Sequence, residues 1–272
     1  MPTAKIIALC NQKGGVTKTT TTANLGVGLA MQGKRVLLVD ADPQADLTTA
    51  LGFPNQDTLE TTLATIMGKL IRDESIHHKA GILCHDEGVH LLPSSIELSN
   101  MDMALINAMS RELVLRNYLN TVKREYDYIL IDCMPSLGMI TINALAAADS
   151  VIIPVQAQYL PAKGMTALVQ SIQKVQRQIN PSLKIDGVLM TLVDNRTNLA
   201  KQVTATLREN YGGKLKIYNT QIPMAVKAAE TSVVGQSIFT YDKGGKVAVA
   251  YGKLTKEVLG DTKVKSKTTP CR

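Results

Sequence analysis

The chain has 272 residues, 45% of them hydrophobic, with no Trp and only two Phe. That length holds one well-cored domain, built mainly from aliphatic side chains. The formal net charge of +7 suits anionic partners such as nucleic acid, nucleotide or acidic lipid, and no apolar run approaches the ~20 residues that a membrane span requires.

In chain order, "MPTAKIIALC" is too short for a signal peptide and passes directly into an apolar strand over 5–10. A glycine loop follows. "TTTTANLGVGLAMQGKR" then has helical spacing, with Ala23, Val27 and Ala30 on one face and Gly33 as a natural stop. "RVLLVD" (35–40) is the next buried strand, which completes a βαβ unit. The stretch from about 55 to 125 reads as mostly helical with one strand, "VHLLPSS" (89–95). The alternation then resumes: a strand over 126–132, a helix over 137–148, a strand over 150–155 and a long helix over 162–179. A strand over 183–193, a helix over 198–210, an exposed last strand over 214–223 and a closing helix over 244–260 finish the pattern. This predicts an α/β, doubly wound, mainly parallel sheet flanked by helices. One domain is expected over 1–260. The basic tail over 261–272, three Lys and one Arg against one Asp, is expected to be disordered.

Cys10, Cys84, Cys133 and Cys271 form no C-x-x-C pair and read as reduced thiols of a cytosolic protein. His77, His78, His85 and His90 cluster near Cys84, but their spacing fits no familiar ligand pattern, so a solvated loop is expected there rather than a metal site.

The first loop, "NQKGGVTKTTTT" (11–22), carries the chemistry. It departs from G-x-x-x-x-G-K-[ST], because the two fixed glycine positions hold Gln12 and Thr17. A strand-to-helix loop still points backbone N–H groups and a helix dipole at one spot. Gly14 and Gly15 let the backbone curl around phosphates, Lys18 would neutralise the β- and γ-phosphates, Thr19 is placed for Mg²⁺, and Thr20 can reach the α-phosphate. "VLLVDADPQ" puts Asp40 and Asp42 at the carboxyl end of one strand, and "YILIDCMPS" puts Asp132 at the end of another. Carboxylates there, together with a K-T-T loop, point to Mg²⁺-nucleotide: Asp132 would hold the metal through water, and Asp42 or Asp40 would orient the attacking water. Thr17 is the weak point. A left-handed backbone costs a β-branched residue heavily, whereas a right-handed one would let Thr cap the helix. The sequence leaves that open, and nucleotide binding is expected to survive.

Taken together, "KGGVTKTTTTANL", "VLLVDADPQADLT", "YDYILIDCMPSLGMITINAL" and "ADSVIIPVQAQYL" resemble the ParA/Soj partition ATPases, the deviant Walker A branch of P-loop proteins, over about residues 5 to 260. The resemblance implies slow, partner-stimulated ATP hydrolysis with ATP and Mg²⁺ bound by Lys13, Gly14, Gly15, Val16, Thr17, Lys18, Thr19 and Thr20. It implies that Lys13 reaches across an ATP-sandwich homodimer to the other subunit's nucleotide. It makes Asp42 the residue whose loss stalls hydrolysis, Asp40 its support and Asp132 the Walker B acid. Pro223 falls where the family packs adenine, with Met224 lining the wall and Asp194 near the base. Met134 and Met224 depart from the family's "DCPPS" and "IPR". Arg196, Lys201, Arg208 and Lys227 are the candidate patch for non-specific DNA. The implied partners are a second copy, DNA and a ParB-like centromere-binding protein, with the protein cytoplasmic and on the nucleoid. A MinD-like membrane-associated ATPase is the alternative, but the tail "KVKSKTTPCR" lacks the apolar stripe of a membrane anchor. A metabolic iron–sulfur reductase ranks lower, because Cys10 and Cys133 sit on strand ends. The chain before the first strand is too short for a helix-turn-helix module, so operator recognition is not expected.

Overall fold

A computed structural model describes residues 3–157, 162–194 and 196–265. In chain order the elements are β1 (Lys5–Leu9), α1 (Lys18–Ala30), β2 (Val36–Ala41), α2 (Asp46–Ala50), α3 (Leu63–Ile71), β3 (Leu83–Cys84), β4 (Val89–Leu92), α4 (Met101–Ile106), α5 (Val114–Val122), β5 (Tyr128–Cys133) and α6 (Met139–Ala147). They continue as β6 (Ser150–Gln156), α7 (Ala162–Gln178), β7 (Lys184–Val193), α8 (Asn198–Tyr211), β8 (Ile217–Pro223), α9 (Val226–Val234), α10 (Ile238–Tyr241) and α11 (Lys246–Lys265). The strands form one sheet in the order β3-β4-β2-β5-β1-β6-β7-β8. Every pairing is parallel except β3 with β4. This is the doubly wound architecture expected from the alternation.

The central strands are apolar throughout because both faces are covered. Successive residues alternate between two cores. Ala8, Leu37, Val39, Ile129 and Ile131 face the helices α3, α5, α6 and α7, while Ile7, Leu9, Val36, Leu38 and Leu130 face α1 and α11. α1 lies close against β2: a Cβ at Gly26 would come within 2.5 Å of Leu38 Cδ2. β1 is the middle of this arrangement, between β5 and β6, so the loop that leaves it emerges at the carboxyl edge where the chain winds off in both directions, the place where such sheets hold ligands.

Several features differ from the sequence-based expectations. The strand expected over 89–95 ends at Leu92, and a two-residue antiparallel strand, β3, precedes it. Two residues are too few for any periodicity to register. The short helices α2, α9 and α10 were also not anticipated. His85 and His90 lie in the β3–β4 hairpin rather than in a solvated loop: His90 Nδ1 is 2.8 Å from the Tyr126 hydroxyl, and Glu87 N donates to His85 Nδ1 at 3.2 Å. Among the described residues no group of three or more His, Cys, Asp or Glu is arranged to hold a metal ion, and no helix is long and apolar enough to cross a membrane. α11 runs to Lys265, into the segment assigned to the tail, and 266–272 lie outside the described residues.

Candidate nucleotide site

The loop from 10 to 17 is held at three points on β6 and β7. Asn11 Nδ2 donates to the Pro154 carbonyl at 2.6 Å, and Asn11 Oδ1 accepts from Lys13 N at 3.0 Å. Gln156, the last residue of β6, donates through Nε2 to the Gly15 carbonyl. The Thr191 hydroxyl on β7 donates to the Val16 carbonyl at 3.1 Å. Gly15 has φ 71°, which a side chain would strain, and a Cβ at Gly14 would meet nothing within 4 Å. The loop is therefore an open cradle over the N-terminus of α1.

Thr17 settles the point left open by the sequence. It precedes α1 with φ 63° and ψ 32°, in the left-handed region, and its side chain makes no capping bond. Its Oγ1 is buried and turned towards the hydroxyl of Tyr251 on α11. In the next turn the Thr21 hydroxyl lies 3.2 Å from the same Tyr251 hydroxyl.

The two lysines of the loop have different surroundings. Lys18 is 7% exposed, tucked under the loop with Nζ donating to the Lys13 carbonyl at 3.3 Å. Lys13 is exposed, and its Nζ reaches only as far as Gln156 Oε1 at 3.4 Å.

The carboxylates converge. Asp40 and Asp132 are direct partners on β2 and β5, and both are buried. Asp40 is fixed by Thr48, whose N and Oγ1 donate to its Oδ2 at 2.8 and 2.7 Å. Burial pushes its carboxyl up to about 7, against the relief that Thr48 gives. Asp132 takes hydrogen bonds from the hydroxyls of Thr19 and, at 3.4 Å, Thr22. Its carboxyl is raised well above the ordinary range, first by burial and then by Asp40, with Lys18 opposing. Two enclosed carboxylates with hydroxyl donors but no cation in contact are what an added divalent ion would stabilise. Asp42 is half-exposed at the rim, its Oδ1 accepting from Gln44 N at 3.0 Å. Lys13 through Thr20, Asp40, Asp42 and Asp132 are thus brought to one edge.

The residues expected to pack the base lie at the same edge, farther along. Val193 pairs with Pro223, and Met224 N donates to the Val193 carbonyl at 3.3 Å. Asp194 follows, but Arg196 occupies it through two N–O contacts of 2.9 Å, which hold its carboxyl down at about 2. Beside Thr19 and Thr20 a cavity of about 730 Å³ opens towards Asp46 and Thr49 of α2 and Thr231 of α9. Asp194, Pro223 and Met224 do not line it. Of the four basic candidates, Arg196 is tied to Asp194 and Lys227 to Asp242 at 2.8 Å, while Lys201 and Arg208 are exposed two turns apart on α8.

Sequence reasoning passed over Asn11, Thr22, Thr48, Gln156 and Thr191. Gln156 carried a usable signal, because it is a polar residue at the carboxyl end of an apolar strand, as Asp132 is one residue short of the end of β5. Thr48 and Thr191 make contacts that no local pattern marks.

Comparison with known proteins agrees with this geometry. A family model described as "AAA domain" matches residues 4–185. The sporulation initiation inhibitor protein Soj of Bacillus subtilis is 43% identical over 259 residues, covering 94% of this chain and 99% of its own. The chromosome partitioning protein ParA of Caulobacter vibrioides is 37% identical over 257 residues, covering 94% of both. A crystal structure of cobyrinic acid a,c-diamide synthase from Mycobacterium smegmatis, with bound ATP analog and magnesium, superposes with a TM-score of 0.84 at 34% identity over 99% of each chain. The phosphate loop, the paired buried carboxylates and near full-length similarity to Soj and ParA lead to one conclusion: the chain belongs to the ParA/Soj family of P-loop ATPases.

Proposed function

We propose that this protein is a partition ATPase whose ATP-bound form is a face-to-face homodimer that holds DNA without sequence preference and is triggered by a ParB-like partner. The observation that carries this reading is the contrast between the two loop lysines: Lys18 is buried where it serves its own subunit's phosphates, and Lys13 is exposed at the rim. A second cation at an open rim suits a role across an interface, where two facing triphosphates would otherwise repel.

The site fits Mg²⁺-ATP. Thr19 and Asp132 would hold the ion, Asp132 through water, and the ion would supply charge neutralisation at the phosphates. Backbone N–H groups of Gly14 to Thr19 orient the phosphate chain, and Lys18 stabilises the charge that develops on it. Asp42, half-exposed beside that position, orients the attacking water. Asp40 is too enclosed for that task and fixes the β2 terminus through Thr48. The base is assigned to the wall of Pro223 and Met224, at the β7–β8 end of the site. Asp194 can approach it only by leaving Arg196.

DNA binding is supported by family membership, the +7 net charge and the exposed Lys201 and Arg208. Cytoplasmic and nucleoid location follow from the same reading. Size-exclusion chromatography with light scattering, run with ADP, ATP and a non-hydrolysable analogue, tests the switch. Dimer only with the ATP forms is expected, and mixed-sequence DNA should co-elute with that dimer. A mass that does not depend on nucleotide overturns the reading. Flotation with liposomes in ATP would instead favour a MinD-like role.

A further inference from the structure

We propose that Cys10 and Cys133 are an oxidisable dithiol that closes to a disulfide between the strand feeding the phosphate loop and the strand carrying Asp132. The dithiol chemistry stands on the fold alone, whereas its effect on turnover rests on the ATPase reading above.

The two sulfurs lie 2.9 Å apart and are buried, as free thiols. β1 and β5 are parallel neighbours whose register pairs Leu9 with Asp132, so the residues that follow, Cys10 and Cys133, sit side by side. Both side chains enter the same core, on the face of Ala8 and Ile131. Neighbouring strands are ~4.8 Å apart, inside the ~4.4–6.8 Å Cα range that a disulfide spans. Within a sheet the ladder would resist the small adjustment a bridge needs. Here Cys10 lies one residue beyond β1, its N donating to the Ile152 carbonyl at 3.2 Å, and Cys133 is the last residue of β5, paired with Ala41, so both sit at the final rung of the ladder. Cys84 offers no competing partner: it is exposed on β3, with β4 and β2 between it and β5, three strand spacings or roughly 14 Å away.

The oxidant is a peroxide. It converts one thiol to a sulfenic acid and leaves as water. The second sulfur then attacks the first, the S–O bond breaks, and the hydroxyl departs as a second water with the remaining thiol proton. Two thiols lose two electrons and two protons, and the peroxide is reduced to two waters. The new bond joins residues adjacent to Asn11, which fixes the loop at Pro154 and Lys13, and to Asp132. Drawing the sulfurs to about 2.05 Å re-aims both strand ends, so the oxidised protein turns over ATP at least fivefold more slowly.

The test uses the full chain with Cys84→Ser and Cys271→Ser, which leaves only the pair, treated with hydrogen peroxide. The expected result is an intact-mass loss of about 2 Da, a cross-link between tryptic peptides 6–13 and 125–163, and reversal of both by dithiothreitol. Adding Cys10→Ala should abolish the link. Sulfinic acid on either cysteine in place of the link, or no reaction at either, overturns the dithiol. A formed link with unchanged ATP turnover overturns the regulatory half alone. A reduced protein that hydrolyses no ATP overturns the ATPase reading, and the cross-link still decides the dithiol.

Discussion

Asp40 and Asp132 face each other across β2 and β5 as register partners, both enclosed by the protein at the carboxyl edge of the sheet. Two ionised carboxylates so placed repel and lack water, so their charged forms are disfavoured. The Asp40 carboxyl is raised from 3.8 to about 7, mainly by burial. A carboxyl whose folded value is raised binds its proton more tightly in the native state. Its contribution to stability is therefore fullest in acid and is lost as pH rises through about 4 to 7, by roughly 4 kcal/mol at most. The nucleotide-free protein is expected to melt at progressively lower temperature from pH 5.5 to 7.5. Mg²⁺ with a non-hydrolysable ATP analogue should flatten that slope. Differential scanning fluorimetry across the range, with and without ligand, measures both, and an apo profile that rises with pH contradicts the electrostatic picture.

Neutralising Asp132 separates its structural cost from its function. Its hydrogen-bond donors are the hydroxyls of Thr19 and Thr22, which can rotate to suit an amide. Asp132→Asn should stabilise the apo protein at pH 8, because burial and Asp40 disfavour the ionised carboxylate, and cut ATP turnover by about a hundredfold or more. Asp40 is not the equivalent test. Its two oxygens both accept backbone N–H bonds, from Thr48 and Asp42, so an amide there would turn a donor against a donor. Urea unfolding paired with a phosphate-release assay reads the Asp132 outcome, and a destabilised Asp132→Asn would show that the carboxylate is native-state glue instead.

Thr17 carries a local conflict. Its left-handed backbone costs roughly 1–2 kcal/mol. Against that, glycine gives the unfolded chain about 1 kcal/mol of extra entropy. The strain outweighs that entropy, so Thr17→Gly should raise stability by up to about 1 kcal/mol while leaving nucleotide affinity within a few-fold of wild type. Urea midpoints and calorimetric titration with ATP check the two halves. A wild type that fails to bind ATP while the glycine variant binds would mean that Thr17 has damaged the loop.

The fold was legible where the signal is repeated and strong. Apolar runs such as 35–40 and 150–155, punctuated by helical spacing, gave the parallel sheet because burial on both faces leaves no polar residues to confuse the pattern. The carboxyl-edge site was legible because Asp40 and Asp132 end such runs. What stayed hidden was set by long-range packing. The sign of φ at Thr17 depends on how the loop meets β6 and β7 through Gln156 and Thr191, partners more than a hundred residues away. The pairing of Arg196 with Asp194 turns on a local bend that charge counting does not register. α2, with five residues, and α10, with four, are shorter than the two turns over which an amphipathic period becomes visible.

Lys13 and Lys18 should separate cleanly by mutation. Lys13 is exposed and holds only a 3.4 Å contact to Gln156, so Lys13→Ala should leave urea stability within about 0.5 kcal/mol and ADP binding near normal. It should abolish the dimer formed with a non-hydrolysable ATP analogue, and hydrolysis with it. Lys18→Ala removes the buried cation beside Asp132 and should lose nucleotide binding itself. Light scattering and calorimetry on the two variants distinguish these outcomes. A Lys13→Ala protein that still dimerises with the analogue rules out the cross-subunit role.

The ion pair between Arg196 and Asp194 gives the proposed DNA surface an internal brake. Asp194 is paired with Arg196 at 2.9 Å, so the two together contribute little net charge to a passing phosphate. Lys201 and Arg208 stand exposed along α8. Replacing either with Ala should reduce the slope of log K against log salt by about 0.9, with the affinity loss uniform across sequences. Asp194→Asn does the reverse: it releases the guanidinium, should tighten DNA binding and should steepen the slope by about one contact. If Asp194 instead serves the adenine, the same variant will weaken ATP binding before DNA is added. Fluorescence anisotropy on a mixed-sequence duplex at several salt concentrations, beside ATP titrations of the same preparations, separates the two roles. Unchanged slopes in all three variants would move the DNA contact away from α8.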